Sequence, residues 1–311
     1  MTFLFRNSAL LAAALILAAP HTATAAAAAP RAQRPPSPLI RQMEHISVQV
    51  LGTKGPPVFL IPGLSSPRDA WNGVAPALAR THRVYLVQVN GFGGDEPRGN
   101  LRPGVLNGIV ADLRQFIVQR GLKNSAIVGH SMGGLAGLML AARHPDSVGR
   151  LMVVDALPYF GVLMAPPGTD VTVAMVEPQA AKMRDAVAAS YGKPADAAAA
   201  EANIAGMTRR AEHLPSLRAW AMASDPRVAA QAMYEDLTTD MRPELAKIRA
   251  PVTVLYAWNQ TYPRRDPAAA FFTKQYTGTA RLRVAEVGES AHFIMLDQAA
   301  AFQTALATFL Q

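Results

Sequence analysis

The stretch SAIVGHSMGGLAGLMLAARH, residues 125–144, decides the fold of this chain. Residues 125–129 form an apolar run that is typical of a buried strand, and residues 132–143 have the composition of a helix that ends before Pro145. Strand and helix meet in the turn GHSMG (residues 129–133), which fits the pattern G-x-S-x-G. Glycines on both sides of Ser131 permit a sharp turn, so the pattern predicts a serine hydroxyl that projects above the edge of a sheet.

Short apolar strands alternate with helices on both sides of this segment. Strands are predicted over residues 45–51, 58–61, 84–89, 151–154, 252–256 and 282–287, and helices over residues 69–80, 106–120, 267–275 and 298–310. Apolar runs bounded by turns indicate a parallel sheet that is covered on both faces. Ligands of such sheets bind at the carboxyl ends of the strands. The prediction is an α/β fold with its functional residues at that edge.

One long segment, residues 158–247, interrupts the alternation. It is rich in alanine and methionine and contains no convincing strand pattern. We interpret it as a helical cap, or lid, inserted between two strands of a core that comprises residues 40–157 and 248–311. Its methionines are expected to serve ordinary helix packing.

The N-terminus has the features of a secretory signal peptide. Arg6 provides a positive charge, residues 9–19 form an apolar run too short to span a bilayer, and residues 23–25 (ATA) offer a cleavage site. We therefore exclude residues 1–25 from the fold and interpret the Ala/Pro-rich residues 26–39 as a flexible leader. The expected location is periplasmic or secreted, without stable membrane insertion after the signal is removed.

Composition excludes several other classes of function. The chain of 311 residues has no cysteine, which excludes disulfides and thiolate metal sites. Its net charge of +8 comes from scattered basic residues, so we expect no nucleic-acid partner. The sequence contains no metal-ligand cluster, phosphate-binding loop or dinucleotide fingerprint, and we predict no metal and no cofactor.

Four segments together resemble the α/β-hydrolase superfamily: IPGL (61–64), NGFG (90–93), GHSMG (129–133) and SAHF (290–293). The resemblance covers residues 44–311, with the cap poorly matched. Order and spacing are similar to the serine esterase-like subgroup with a helical cap after the sixth strand. This subgroup includes carboxylesterases, lipases, carbon–carbon bond hydrolases and non-metal perhydrolases. The resemblance implies a mostly parallel sheet flanked by helices.

The same resemblance implies roles for individual residues. Ser131 matches the nucleophile, and His292, in the loop after the last strand, matches the base that takes the serine proton. The backbone N–H groups of Leu64 and Met132 match the oxyanion hole. The family usually has His-Gly before the position of Leu64, where this chain has Pro62 and Gly63. Because the donor there is a backbone group, the role is expected to survive this departure.

The third member of a catalytic triad is not fixed by the sequence. The family often has its acid after the seventh strand, where this chain has Asn259 and Gln260. An amide can orient an imidazole but cannot stabilise imidazolium by charge. Asp155, at the end of the strand that follows the nucleophile helix, is our preferred acid; Asp266 and the absence of any acid are the alternatives. Asp297 is expected to cap or pair at the start of the terminal helix.

These residues lead to a hypothesis of carboxylic ester hydrolysis through an acyl-enzyme. The alternatives are hydrolysis of carbon–carbon or amide bonds with the same triad, and a non-catalytic binding protein of the same fold. A serine nucleophile argues against epoxide hydrolase and dehalogenase chemistry, for which the resemblance implies an aspartate. The composition of the cap suggests an apolar pocket and hence a medium-length acyl or aromatic ester.

Overall fold

A computed structural model describes residues 39–193, 201, 204–261 and 264–311. The predicted signal peptide, residues 1–25, lies outside the described residues, and so does the predicted leader except for the exposed Leu39.

The core is an eight-stranded sheet with the order β1-β2-β4-β3-β5-β6-β7-β8. Its strands are β1 (Ile40–Gln42), β2 (Ile46–Leu51), β3 (Pro57–Ile61), β4 (Arg83–Val89), β5 (Ser125–His130), β6 (Val148–Val154), β7 (Val252–Trp258) and β8 (Leu282–Gly288). β1 and β2 are antiparallel to their neighbours, and every pairing from β4 to β8 is parallel. The predicted α/β fold with a mostly parallel sheet is confirmed.

Helices cover both faces of the sheet. They are α1 (Ala75–Leu78), α2 (Val105–Gln119), α3 (Met132–Arg143), α4 (Val173–Ala188), α5 (Leu214–Met222), α6 (Pro226–Thr238), α7 (Arg265–Gln275), α8 (Ile294–Asp297) and α9 (Ala299–Leu310). The apolar side chains of α2, α3 and α7 join the core on one face, which includes Phe59 and Ile127. Those of α1 and α9 join the core on the other face, which includes Leu60 and Val128. Neighbouring residues of a strand alternate between the two cores, as the pleat requires.

Two local predictions differ from the structure. The helix predicted over 69–80 is a 3-10 turn at Arg68–Trp71 followed by the short α1, because Asn72 and Gly73 interrupt the helical pattern. β1 was not predicted, because three exposed residues show no apolar alternation.

The segment between β6 and β7 contains α4, α5, α6 and several 3-10 turns, and its described residues include no strand. α4 and α6 pack against each other, and α6 also contacts α2 of the core. The carboxylate of Glu235 in α6 accepts hydrogen bonds from the backbone N–H groups of Gly104, Val105 and Leu106, at 2.6, 3.0 and 2.8 Å. It thereby caps α2 from outside that helix. Within the described part of the chain, every helix is too short or too polar to cross a membrane.

Candidate active site

Ser131 lies in a strained turn between β5 and α3. Its φ and ψ are 53° and −126°, a conformation that a non-glycine residue adopts at a cost of about 1–3 kcal/mol. Its N–H donates to the carbonyl of Val154 at the end of β6, 3.0 Å away. Its carbonyl accepts from Gly134 and Leu135 in the first turn of α3. The turn is therefore held from both sides, and the hydroxyl group lies at the carboxyl end of the sheet.

The glycines of the G-x-S-x-G pattern are required by close backbone contact. A Cβ at Gly129 would lie 2.2 Å from the carbonyl oxygen of Gly133, and a Cβ at Gly133 would lie 2.5 Å from the carbonyls of Ile61 and Pro62. Neither distance is sterically possible. The turn at residues 129–133 therefore packs directly onto the end of β3, from which the loop with Leu64 continues.

The loop after β3 lies beside the serine. A Cβ at Gly63 would be 2.9 Å from the Cβ of Ser131, so only glycine permits this approach. Met132 is the first residue of α3, and its N–H belongs to the group that has no acceptor inside its own helix. Leu64 is half-buried, and its carbonyl accepts from the hydroxyl of Ser66 at 3.3 Å. The two predicted oxyanion donors thus flank the turn that carries Ser131.

His292 follows β8 and reaches the same edge of the sheet. Its ring centroid is 4.5 Å from that of His130, the residue before Ser131. Its Nδ1 lies 2.8 Å from Oδ2 of Asp155. A carboxylate only accepts hydrogen bonds, so this contact requires the proton of the neutral imidazole to be on Nδ1, which leaves Nε2 as the free basic nitrogen.

Backbone hydrogen bonds hold Asp155 in place. It follows β6 with a φ of 46°, and its N–H donates to the carbonyl of Leu255 at 2.7 Å. Its Oδ1 accepts from the N–H of Ala257 at 3.0 Å, while Oδ2 faces His292. Tyr276 lies nearby; burial first and the Asp155 charge second raise the pKa of its phenol well above the usual value. That hydroxyl remains protonated and donates to the carbonyl of Ala156.

The other predicted positions for an acid have different contacts. The side chain of Asn259, after β7, donates to the carbonyl of Ser290 at 3.0 Å and accepts from the N–H of Thr261 at 2.9 Å. This side chain holds the backbone of the His292 loop. Gln260 is exposed in the turn that follows. Asp266 is exposed in the first turn of α7, where Arg265 is its neighbour. Of the candidate acids, Asp155 contacts the imidazole of His292.

His130 is a site residue that the sequence did not reveal, since its position in the pattern accepts many side chains. It is completely buried, and burial lowers its pKa well below the usual value, so the ring is neutral. Its Nε2–H donates to the carbonyl of His292 at 2.9 Å. Its ring also contacts that of Phe293, with centroids 4.7 Å apart. The residue next to the serine therefore anchors the backbone of the histidine.

The cap borders this edge of the sheet. The hydroxyl oxygen of Ser224, after α5, lies 3.3 Å from the carbonyl oxygen of Ser65, and the ring of Trp220 in α5 lies 6.1 Å from that of Phe293. α5 thus contacts the loop of His292, and the residue Ser224 after it contacts the loop of Leu64. The half-buried indole of Trp220 thus adds apolar surface beside Phe293, the residue after His292.

Comparison with known proteins identifies the class that this fold and site define. A family model described as the alpha/beta hydrolase fold matches residues 56–297, which is most of the chain. The chain belongs to the α/β-hydrolase family.

Individual relatives are more distant. A fluoroacetate dehalogenase from Burkholderia sp is 34% identical over 116 residues, which are 36% of this chain and 38% of that protein. A strigolactone esterase from Arabidopsis thaliana is 28% identical over 120 residues, 38% of this chain and 45% of that protein. The chain thus spans less than half the length of these relatives. The crystal structure of the enol-lactonase from Burkholderia xenovorans LB400 superimposes with a TM-score of 0.67 at 21% identity, covering 85% of this chain and 96% of that one. This similarity concerns the fold.

Proposed function

We propose that this hydrolase cleaves carboxylic esters through an acyl-enzyme, with Ser131 as nucleophile, His292 as base and Asp155 as acid. One observation carries the proposal. A serine in a strained strand-to-helix turn directly follows His130, whose ring centroid is 4.5 Å from that of His292, and Nδ1 of His292 is 2.8 Å from the carboxylate of Asp155. The three side chains come from the end of β5, the end of β6 and the loop after β8, which meet at one edge of the sheet. They match the requirements of nucleophilic catalysis.

Acylation would begin when Nε2 of His292 takes the Ser131 proton as the oxygen attacks the ester carbonyl. Asp155 stabilises the resulting imidazolium through its charge and its contact with Nδ1–H. The tetrahedral oxyanion accepts hydrogen bonds from the N–H groups of Leu64 and Met132, and losing one such donor costs about 3–4 kcal/mol. Collapse breaks the bond to the alcohol oxygen, which leaves with the proton from Nε2.

Deacylation would repeat these steps with water. His292 takes a proton from the water as it attacks the acyl-enzyme carbonyl, and the same two N–H groups hold the second oxyanion. The proton returns to Oγ of Ser131 as the acid product leaves, which restores the neutral histidine and the free hydroxyl. The protein supplies every group in this cycle, and the co-substrate is water.

We further propose that the acyl group is of medium length or aromatic. The support is the apolar rim formed by Trp220 and Phe293, whose rings lie 6.1 Å apart beside His292. An apolar acyl chain gains about 25 cal/mol for each Å² that such a wall removes from water. The expected signature is a kcat/KM that rises from p-nitrophenyl acetate to the octanoate.

The test uses a fluorophosphonate probe and a series of p-nitrophenyl esters. The purified protein should be labelled by the probe and should hydrolyse the esters, while Ser131→Ala should lose both activities and retain the wild-type melting temperature. A wild-type protein that is folded, unlabelled and inactive on every ester would overturn the enzymatic proposal and leave the binding-protein alternative.

Two further substrates separate the remaining alternatives. Labelling of Ser131 without ester turnover, but with cleavage of p-nitroanilides or of a vinylogous diketone, would favour amide or carbon–carbon bond hydrolysis. Fluoroacetate tests the activity named for the dehalogenase relative. We expect no fluoride release, because Ser131 lacks the carboxylate that the family implies for this chemistry.

Export remains a separate proposal that rests on the N-terminal sequence. Expression of the full chain in a Gram-negative host should give periplasmic protein whose N-terminus begins near residue 26. A cytoplasmic product that retains Met1 would contradict it.

A further inference from the structure

Asp297 occupies an unusual position for a carboxylate. It lies at the end of α8, five residues after His292, and is fully buried. A buried charge is costly unless hydrogen bonds replace the water that it has lost. In this protein, the donors come from two parts of the chain that are far apart in sequence.

One set of donors belongs to the histidine loop. The N–H of Ala291, the residue before His292, donates to Oδ2 of Asp297 at 2.7 Å. The other set belongs to the segment between α4 and α5. The N–H of Arg209 donates to both carboxylate oxygens at 3.0 Å, and the hydroxyl of Thr208 makes a short hydrogen bond to Oδ1.

Two further bonds connect the same two segments. The N–H of Phe293 donates to the carbonyl of Met207 at 3.1 Å, and Nε2 of His213 lies 3.2 Å from the carbonyl of Leu296. The residues on both sides of His292 are therefore held by residues 207–209 of the cap, either directly or through Asp297.

We infer that Asp297 is a positioning residue that fixes His292 relative to Ser131 by tying Ala291 to Thr208 and Arg209 of the cap. The inference rests on the proposed function. Its consequence is that the cap sets the position of the base. Misplacement of a catalytic group by about 1 Å costs about 100-fold in rate. A carboxylate that holds Ala291, the residue before His292, can therefore affect the rate strongly.

The first test is Asp297→Asn, which preserves volume but replaces an accepting oxygen by an NH2 group. That group faces an N–H donor whichever way the amide is turned. We expect kcat for p-nitrophenyl butyrate and the rate of fluorophosphonate labelling to fall together by about 10- to 100-fold, with KM within threefold of wild type. A loss of structure alone would lower the active fraction without changing the labelling rate of the active molecules.

Asp112 provides a matched control. It is also a buried carboxylate that accepts from two backbone N–H groups, those of His45 and Ile46, at 2.7 and 3.2 Å. It holds the start of β2, which is separated from β8 and the loop of His292 by five strands of the sheet. Asp112→Asn should lower the melting temperature as Asp297→Asn does, while its labelling rate and kcat per active molecule stay within twofold of wild type.

A second variant covers the case in which Asp297→Asn does not fold. Thr208→Val removes one donor on the cap side and leaves the bond to Ala291 intact, and we expect a fall in kcat of about 3- to 10-fold with KM unchanged. The inference is overturned if Asp297→Asn, or Thr208→Val where the first variant is unfolded, labels at the wild-type rate. If the wild-type protein itself is not labelled, the proposed function fails instead, so the two failures are distinguishable.

Discussion

The carboxylate of Asp155 lies 2.8 Å from Nδ1 of His292, although the two residues are 137 positions apart in the chain. The sheet brings them together, because β6 and β8 lie on either side of β7 and all three strands are parallel. The second carboxylate oxygen is held by the N–H of Ala257, in β7 between them. The middle strand thus orients the acid toward the histidine at the end of its neighbour.

Replacing Asp155 by asparagine should lower kcat by about 10 000-fold while leaving the fold intact. The new amide oxygen can still accept from Ala257, so its NH2 group faces His292 and favours the tautomer with its proton on Nε2. That tautomer cannot take the proton of Ser131. The measurement is single-turnover release of p-nitrophenol, with Asp266→Asn as the control because that carboxylate is exposed on α7. A large loss in the control, or a small one in Asp155→Asn, would contradict the assignment.

His130 should contribute to the rate through the position of His292. His130→Phe keeps a ring against Phe293 but loses the donor to the carbonyl of His292, whereas His130→Gln retains an N–H group near the position of Nε2. A hydrogen bond of this kind is worth about 1 kcal/mol, so the phenylalanine variant should be labelled by fluorophosphonate about fivefold more slowly. The glutamine variant should recover part of this loss. Equal labelling of both variants and wild type would exclude the role.

Glu235 should stabilise the contact between the cap and the core. Its carboxylate accepts three N–H groups at the start of α2, where the helix dipole also favours negative charge. We expect Glu235→Ala to lower the free energy of unfolding by about 2 kcal/mol, and the melting temperature by about 4–8 °C. Glu177→Gln is the control, since Glu177 is an exposed residue of α4 that accepts from the hydroxyl of Tyr234. The prediction fails if both variants have the melting temperature of the wild type.

The parts of this site that the sequence predicts are those determined by neighbouring residues. The turn at Ser131 is predicted with its strand and helix, because G-x-S-x-G is a local requirement of close packing between Gly129 and Gly133. Asp155 is identified as a candidate because the end of a strand next to β5 must lie at the same edge. The choice between Asp155 and Asp266 required the structure. Whether a carboxylate at the end of β6 contacts His292, beyond β7, depends on the direction of its side chain.

The contacts made through the cap are not predictable from the sequence. Asp297 meets Thr208 across 89 residues, and Glu235 meets Gly104 across 131. No motif fixes the fold of the segment that carries Thr208 and Glu235, so the sequence does not predict either contact. The sequence predicts that Asp297 caps the terminal helix or pairs at its start, whereas in the structure Asp297 connects residues 208 and 209 to the loop of His292. Long-range hydrogen bonds of buried carboxylates depend on tertiary packing, which local sequence patterns do not predict.

Asp236 should make the stability of the cap depend on pH. This residue of α6 is buried, and among the described residues its Oδ1 has no hydrogen-bond partner. Burial raises its pKa from 3.8 to about 8. The folded protein therefore binds this proton more tightly than the unfolded chain does. The stability associated with the neutral carboxyl is fully present below about pH 4, and is lost as the pH rises through about 8.

Asp236→Asn, which stays neutral, should become progressively more stable than wild type as the pH rises. The difference in the free energy of unfolding between the two proteins grows by at most about 1.4 kcal/mol for each pH unit in this interval. Urea unfolding of both proteins at about pH 5 and about pH 7.5 measures this difference in the free energy of unfolding. Asp185→Asn is the control, because that carboxylate is exposed on α4 and pairs with Arg184. A difference between Asp236→Asn and wild type that is the same at both pH values would show that Asp236 is charged in the folded protein, and hence that water or an unrecognised partner reaches it.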